Sequence, residues 1–320
     1  MRIGFIGLGW IAGVYRKGLQ RIEQPISAVF DINPDQVAKF AAETGATPYR
    51  DYQEMLARER LGAVFISIPP GAHATQVADA ARAGAAVFVA KPVALDLDLA
   101  VRTHEAIAAS GVINQVGYMA RYSDIAERAK ELLHGRELGL ALGRFLCRMG
   151  ATHPWWGKRA ISGGQMLEQS THVFDLMRYF LGEVGEVQVF GHAGLGSDIA
   201  DFEDSTVANL RFKSGAVGNV ASTYTANAPD GFAVELSGRD CYLKLVMDLQ
   251  LRGQVDNQPV EFDGKETGYF RQVEQFIRAV ERHDQSLVRS SYADAVRTLA
   301  VTLAANRSLE TGRAELVEEV

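Results

Sequence analysis

The chain has 320 residues, 47% of them hydrophobic and 22% charged, the composition of an ordinary globular protein with room for two cored domains. Its 33 basic and 39 acidic residues leave a net charge of −6, which argues against nucleic acid or an anionic membrane as partner. No apolar stretch reaches the ~20 residues of a membrane span, no leader pattern precedes the first strand, and Cys147 and Cys241 match no metal or disulfide spacing. A cytoplasmic protein with buried thiols is expected.

The first run, Arg2 to Ala12, is a short apolar strand that ends in Gly7-x-Gly9-x-x-Ala12. In a dinucleotide-binding turn Gly7 permits the bend, Gly9 admits a pyrophosphate and Ala12 allows close helix packing. A helix from Ile11 to Arg21 aims its N-terminal amides at the phosphates. The next strand, Ile26 to Phe30, ends in Asp31, placed to accept hydrogen bonds from the adenosine ribose and to repel a 2′-phosphate. With no cation in Ile32-Asn33-Pro34, NAD is favoured over NADP. The competing reading is a plain glycine turn with a surface aspartate.

Further alternation follows. Helices are expected at Pro34–Thr44, Tyr52–Glu59, His73–Ala83 and Leu97–Ala109, and strands at Ala63–Ile68, Ala85–Val89 and Val112–Val116. Near-continuous apolar strands are buried on both faces, so an α/β fold with a doubly wound parallel sheet is predicted for residues 1–120, with its ligand at the carboxyl ends of the strands. From 121 to 320 the rhythm changes. Strands are expected at Glu186–His192, at Thr206–Tyr224 with a hairpin at Lys213-Ser214-Gly215, and within Phe232–Val246. Helices are expected at Ser123–Leu133, Gly164–Leu181, Tyr269–Glu281 and Ser291–Ser308. That pattern predicts a second α/β domain with an open, mainly antiparallel mixed sheet, and an active site in the cleft between the domains.

Three segments carry candidate chemistry. Lys91, in Ala90-Lys91-Pro92 at a strand end, can hydrogen-bond a substrate oxygen, although an exposed loop lysine is the plain alternative. Glu168, His172 and Asp175 are spaced i, i+4, i+7, one face of a helix. A histidine between two acids is a candidate general base; surface polarity near a helix start is the alternative. Trp155, Trp156 and Arg159, with Tyr118 and Arg121 after the last nucleotide-domain strand, suit a sugar or nicotinamide face or, equally, interface packing. No metal-ligand cluster is expected.

These residues together resemble the glucose-fructose oxidoreductase, inositol dehydrogenase and MocA (Gfo/Idh/MocA) family. The resemblance rests on Gly7-x-Gly9-x-x-Ala12, Pro69-Pro70-x-x-His73, Lys91-Pro92, Gly117-Tyr118 and Gly163-Gly164 leading to Glu168-x-Ser170-x-His172-x-x-Asp175, and it covers nearly the whole chain. It implies a Rossmann domain that binds NAD through Gly7, Gly9, Trp10, Ile11, Ala12, Asp31, Pro69, His73, Lys91 and Pro92, with Trp156 and Arg159 at the nicotinamide end. It implies catalysis by Lys91 and His172, supported by Glu168. Substrate contacts would come from these three with Tyr118, Arg121, Trp155 and Asp175. The implied activity is redox chemistry on sugars, cyclitols or related polyols, in a homodimer or homotetramer built through the second sheet. Two positions depart from the family pattern: Ala90 stands where glutamate is usual, and Glu168-x-Ser170 replaces Asp-x-Gly. The leading expectation is an NAD-dependent dehydrogenase. An NAD-dependent glycosidase that oxidises transiently and eliminates, or a non-catalytic NAD-binding regulator, are the alternatives.

Overall fold

In the computed structural model, which describes residues 1–149, 155–247 and 249–320, the apolar N-terminal run forms β1 (Ile3–Ile6), buried along its whole length. It pairs in parallel with β2 (Ala28–Phe30) on one side and β4 (Ala63–Ile66) on the other. Adding β3 (Thr47–Tyr49), β5 (Ala86–Val89) and β6 (Asn114–Val116) gives a six-stranded parallel sheet in the order β3-β2-β1-β4-β5-β6. The order reverses between β1 and β4, so their carboxyl ends, Gly7 and Ser67, flank the switch point where such sheets bind ligands. Connecting helices are α1 (Trp10–Arg21), α2 (Pro34–Thr44), α3 (Tyr52–Glu59), α4 (Gln76–Arg82) and α5 (Leu97–Ser110). Several start as the residues dictate: Asn33, Asp51 and Asp96 cap their helices by accepting from backbone amides two or three residues on.

The chain divides into two compact units, Met1–Met119 with Tyr269–Val296, and Ala120–Gly268 with Arg297–Val320. Residues 269–296, expected in the second domain, thus belong to the first. The reason is apolar: of the helix numbered below as α10, Val273, Phe276 and Ile277 are buried in the first unit's core, with Phe276 edge-on to Phe65 and Phe88 at 5.5 and 5.3 Å.

The second unit begins with α6 (Asp124–Leu132), capped by Ser123, and β7 (Leu138–Leu146). Then come the single turns α7 (Arg159–Ser162) and α8 (Gln165–Glu168), α9 (Thr171–Leu181), β8 (Val184–His192), β9 (Ser205–Phe212) and β10 (Val217–Thr223). The chain continues with β11 (Phe232–Gly238), β12 (Cys241–Val246), β13 (Gln250–Val255) and β14 (Gln258–Asp263), passes through the first unit with α10 (Gly268–Arg282) and the start of α11 (Tyr292–Thr311), and returns with the rest of α11 and β15 (Glu315–Leu316). Nine strands form one sheet in the order β14-β13-β12-β11-β7-β10-β9-β8-β15, antiparallel except where β7 runs parallel to β10. Strand β9 alternates buried and exposed residues, as a sheet covered on one face requires. Its inward side joins α6 and α9 in a single apolar core. The outward side leaves Leu140, Leu142, Phe190, Val207 and Val217 exposed.

The helix expected from Gly164 to Leu181 is broken. The Ser170 amide bonds back five residues to the Gln165 carbonyl, while the amides of His172 and Val173 bond only three back, to Gln169 and Ser170. The Ser170 hydroxyl donates to Ser222 of β10 at 2.8 Å, which draws the chain toward the sheet at the break.

Removing the ring that joins α10 to the first core by Phe276→Ala should cost about 3–5 kcal/mol and lower the melting temperature by several degrees in a thermal-unfolding measurement. A change within error would place α10 outside that core.

Candidate active site

The turn after β1 has the conformation its glycines permit. Gly7 has φ of +87°, and a Cβ there would lie 2.5 Å from the Ser67 carbonyl oxygen, so only glycine fits. At Gly9 a Cβ would meet nothing within 4 Å, leaving open space before α1. Gly9 provides no side-chain cap for α1, so the first-turn amides lack side-chain acceptors, while Ala12 is fully buried and Trp10 is 66% exposed. Ile11 is partly buried against the core. Asp31 binds the turn with both oxygens: one accepts from the Leu8 amide at 2.7 Å, the other from the Asn33 amide at 2.8 Å. Each carboxylate oxygen has a second lone pair for a ribose hydroxyl. Next to Asp31, Ile32 is almost fully exposed and presents no cation to a 2′-phosphate.

Two buried polar atoms support a ligand at this edge. Ser67 Oγ, one residue beyond β4, and His73 Nε2, after the short 3-10 turn Pro70–Ala72, have no hydrogen-bond partner. A buried group without a partner is costly unless something supplies one. His73 bonds the Ile68 carbonyl, so its other nitrogen is the donor and Nε2 is an acceptor. An open glycine turn, uncapped helix amides, an anchored acid and two orphaned polar atoms fit a dinucleotide. Ser67 was not anticipated from the sequence. Its signal was a lone hydroxyl ending the apolar run Ala63–Ile68.

Lys91 follows β5 and the buried Ala90, is partly exposed, and precedes Pro92 through a cis peptide. Tyr118 lies beyond β6 and is 2% exposed.

In the second unit, Glu168 ends α8 and His172 lies in the first turn of α9. The two therefore do not share one continuous helical face as their spacing suggested; the break at Gln169–Ser170 separates them. His172 is buried beside two rings, Phe145 of β7 at 6.2 Å and nearly parallel, and Phe232 of β11 at 6.0 Å. Arg121 and Asp175, expected at the substrate, are 3% and 1% exposed and paired with each other through two bonds of 2.8 and 2.6 Å. Thr298 of α11 adds a third bond to Asp175 at 3.1 Å and accepts from Arg178 at 2.6 Å. A carboxylate held by a guanidinium fork in the interior secures its helix.

Trp156 and Arg159, expected at the nicotinamide end, also have partners within their own unit. Trp156 Nε1 donates to Glu168 at 2.6 Å, and its ring is packed with Phe202 and Tyr224. Arg159 pairs with Glu203, and its amide donates to Asp201. Trp155 lies partly buried against the same cluster. Among the described residues no group of three or more metal-binding side chains occurs, and no helix is long and apolar enough to cross a membrane.

Burial lowers the His73 pKa from 6.5 to about 4. The unfolded chain therefore binds one more proton than the native one between these values, and stability from this group is full above pH 6.5 and falls as pH drops toward 4. The window amounts to about 3 kcal/mol. His73→Gln should reduce the difference in unfolding free energy between pH 7 and pH 4.5, measured in urea, by about 2 kcal/mol. An unchanged difference would show that His73 titrates normally.

The model of an oxidoreductase family with an NAD-binding Rossmann fold matches residues 1–118, and that of the Gfo/Idh/MocA C-terminal domain matches residues 127–244. Myo-inositol 2-dehydrogenase of Thermotoga maritima is 27% identical over 100% of this chain and 99% of its own. The NAD(+)-dependent scyllo-inositol 2-dehydrogenase of Bacillus subtilis is 26% identical over 98% and 95%. A crystal structure of the WlbA dehydrogenase from Bordetella pertussis, with NADH and UDP-GlcNAcA, is 22% identical, covers 100% of this chain and 99% of that one, and superposes with a TM-score of 0.85. With both domain models matched in order along one chain, and the NAD-type turn intact at Gly7, Gly9 and Asp31, this protein belongs to the Gfo/Idh/MocA family of NAD-binding oxidoreductases.

Proposed function

We propose that the protein moves a hydride between NAD and a secondary alcohol, or the matching ketone, of a cyclitol, sugar or related polyol. The observation that carries this reading is the similarity, over essentially the full length of both chains, to two inositol 2-dehydrogenases. The turn at Gly7 and Gly9, with Asp31, Ser67 and His73, holds the dinucleotide, with Trp10, Ile11, Pro69 and Pro92 along its course. When bound, NAD accepts or supplies the hydride.

His172 removes the hydroxyl proton as the alcohol is oxidised and returns it in the reverse direction. The aromatic rings of Phe145 and Phe232 beside it restrict water at the imidazole. Lys91 donates a hydrogen bond to the substrate oxygen and favours its partly negative form. Glu168 orients His172 or receives a neighbouring hydroxyl, and Trp155 borders the substrate. A protein with two free cysteines suits a reducing compartment, and the cytoplasm is the proposed one.

The outward sheet face supports the oligomeric part of the reading. Leu140 pairs with Val217 and Phe190 with Val207 across neighbouring strands, and all four are exposed, an apolar strip of the kind that marks an interaction surface. A second copy covers it, giving a dimer or tetramer. The paired variant Leu142→Asp, Val207→Asp should reduce the mass in light scattering to that of a monomer; a wild-type protein already monomeric at micromolar concentration would remove this part.

For the chemistry, absorbance of reduced nicotinamide is followed with NAD or NADP against a panel of cyclitols, sugars and glycosides. Substrate-dependent NADH is expected, with NAD preferred. His172→Ala and Lys91→Ala should each lower kcat/KM by about a hundredfold or more. Glycoside cleavage requiring NAD without net NADH would replace this reading by the eliminating glycosidase.

A further inference from the structure

We infer that Trp156 is a positioning residue, whose indole N–H fixes the Glu168 carboxylate beside the break that precedes His172. The inference rests on the roles proposed for Glu168 and His172. An indole nitrogen can only donate, so the 2.6 Å contact from Trp156 Nε1 to Glu168 Oε2 has one direction and requires an accepting oxygen. Both residues are buried, at 3% and 7% exposure, where such a bond is shielded from competition by water.

The need for a tether follows from the chain's path. In a continuous helix the backbone would fix Glu168 and His172 one above the other. Here the ladder is interrupted from Ser170, whose amide bonds five residues back, so one continuous helix does not hold Glu168 against His172. Trp156 is itself held on several sides. Its ring meets Phe202 edge-on at 5.4 Å and Tyr224 at 5.3 Å, and the Tyr224 hydroxyl donates to the Phe202 carbonyl at 3.1 Å. Behind the ring, a Cβ on Gly157 would lie 2.2 Å from the Ile199 carbonyl oxygen, and the Gly157 carbonyl accepts from the Asp201 amide at 3.0 Å. The loop that anchors Arg159 therefore also anchors Trp156. The polar edge of the ring is directed to the acid. Cys147, close enough for the Glu168 charge to add to burial in raising its thiol to about 11, stays neutral and brings no second charge to the carboxylate.

Two measurements test the role. In a kinetic cycle, Trp156→Phe should lower kcat about tenfold, leave KM within about twofold, and cause no further loss in a Glu168→Ala background, because residues acting through one another are not additive. In protein carrying Trp10→Phe and Trp155→Phe, so that Trp156 is the sole tryptophan, Glu168→Ala should shift the emission maximum. Glu168→Gln, which keeps an accepting oxygen, should retain it. Equal losses from Trp156→Phe in both backgrounds, or no loss, would overturn the role, and so would an emission maximum indifferent to Glu168→Ala. An unmodified enzyme with no turnover on the whole panel counts against the proposed function alone, and the emission shift then decides the tether by itself.

Discussion

A carboxylate in a protein interior has to be neutralised, and in the second unit the consequences of that requirement at Asp175 reach three segments of chain. Its charge is matched by Arg121, its remaining capacity by Thr298, and the chain of bonds continues through Arg178 to Glu183. The turn at Arg121, helix α9 and the second-unit part of α11 are thereby fixed to one another. Removing one partner of a buried pair costs about 3–5 kcal/mol, while an apolar replacement of both is often neutral. The pair is thus better understood as a device for placing α9 than as a source of stability. His172 lies three residues before Asp175, within one turn of the same helix, so what fixes the carboxylate also holds the backbone that carries the imidazole.

The residues differ in how plainly their roles could be read along the chain. Gly7, Gly9 and Asp31 were legible because the geometry of a strand, turn and helix constrains them within a short stretch, and the structure shows why alanine cannot stand at Gly7. The parallel strands were legible as near-continuous apolar runs. Strand β3 was not, since Thr47-Pro48-Tyr49 is a short, exposed edge with nothing apolar to bury. Strand β7 escaped for the opposite reason: Leu140 and Leu142 point outward while Ala141 and Gly143 point in, so hydrophobicity does not alternate with burial. Gly143 is small because Val173 and Met177 of α9 press on it, a constraint from a helix that lies well beyond it in sequence.

For several candidate residues the sequence displays less than the structure does. Trp156, Arg159, Arg121 and Asp175 are the aromatic and charged types that bind ligands, and their type is all that a sequence displays. Their partners, Glu168, Glu203 and each other, are supplied by chain segments 12 to 54 residues away. Likewise the break between Glu168 and His172 is invisible in the apolar periodicity of Met166, Leu167, Val173 and Phe174. It coincides with a hydroxyl pair between Ser170 and Ser222, which lie 52 residues apart.

Buried polar groups are satisfied in some places and left open in others, in both units. In the second, Asp175, Arg121, Arg178 and Glu168 have their bonds supplied from within, which holds side chains in place before any substrate arrives, as electrostatic preorganisation requires. At the switch point of the first, Ser67 Oγ and His73 Nε2 lack protein partners, and an unmet buried group stabilises whatever ligand satisfies it. His73 is suited to that task because its Nδ1 is committed to Ile68 and burial keeps the ring neutral, so Nε2 accepts throughout the physiological range. A protonated imidazole there would offer a donor instead. The energetic cost of holding a histidine neutral in the interior is therefore matched by a fixed direction of hydrogen bonding at Nε2.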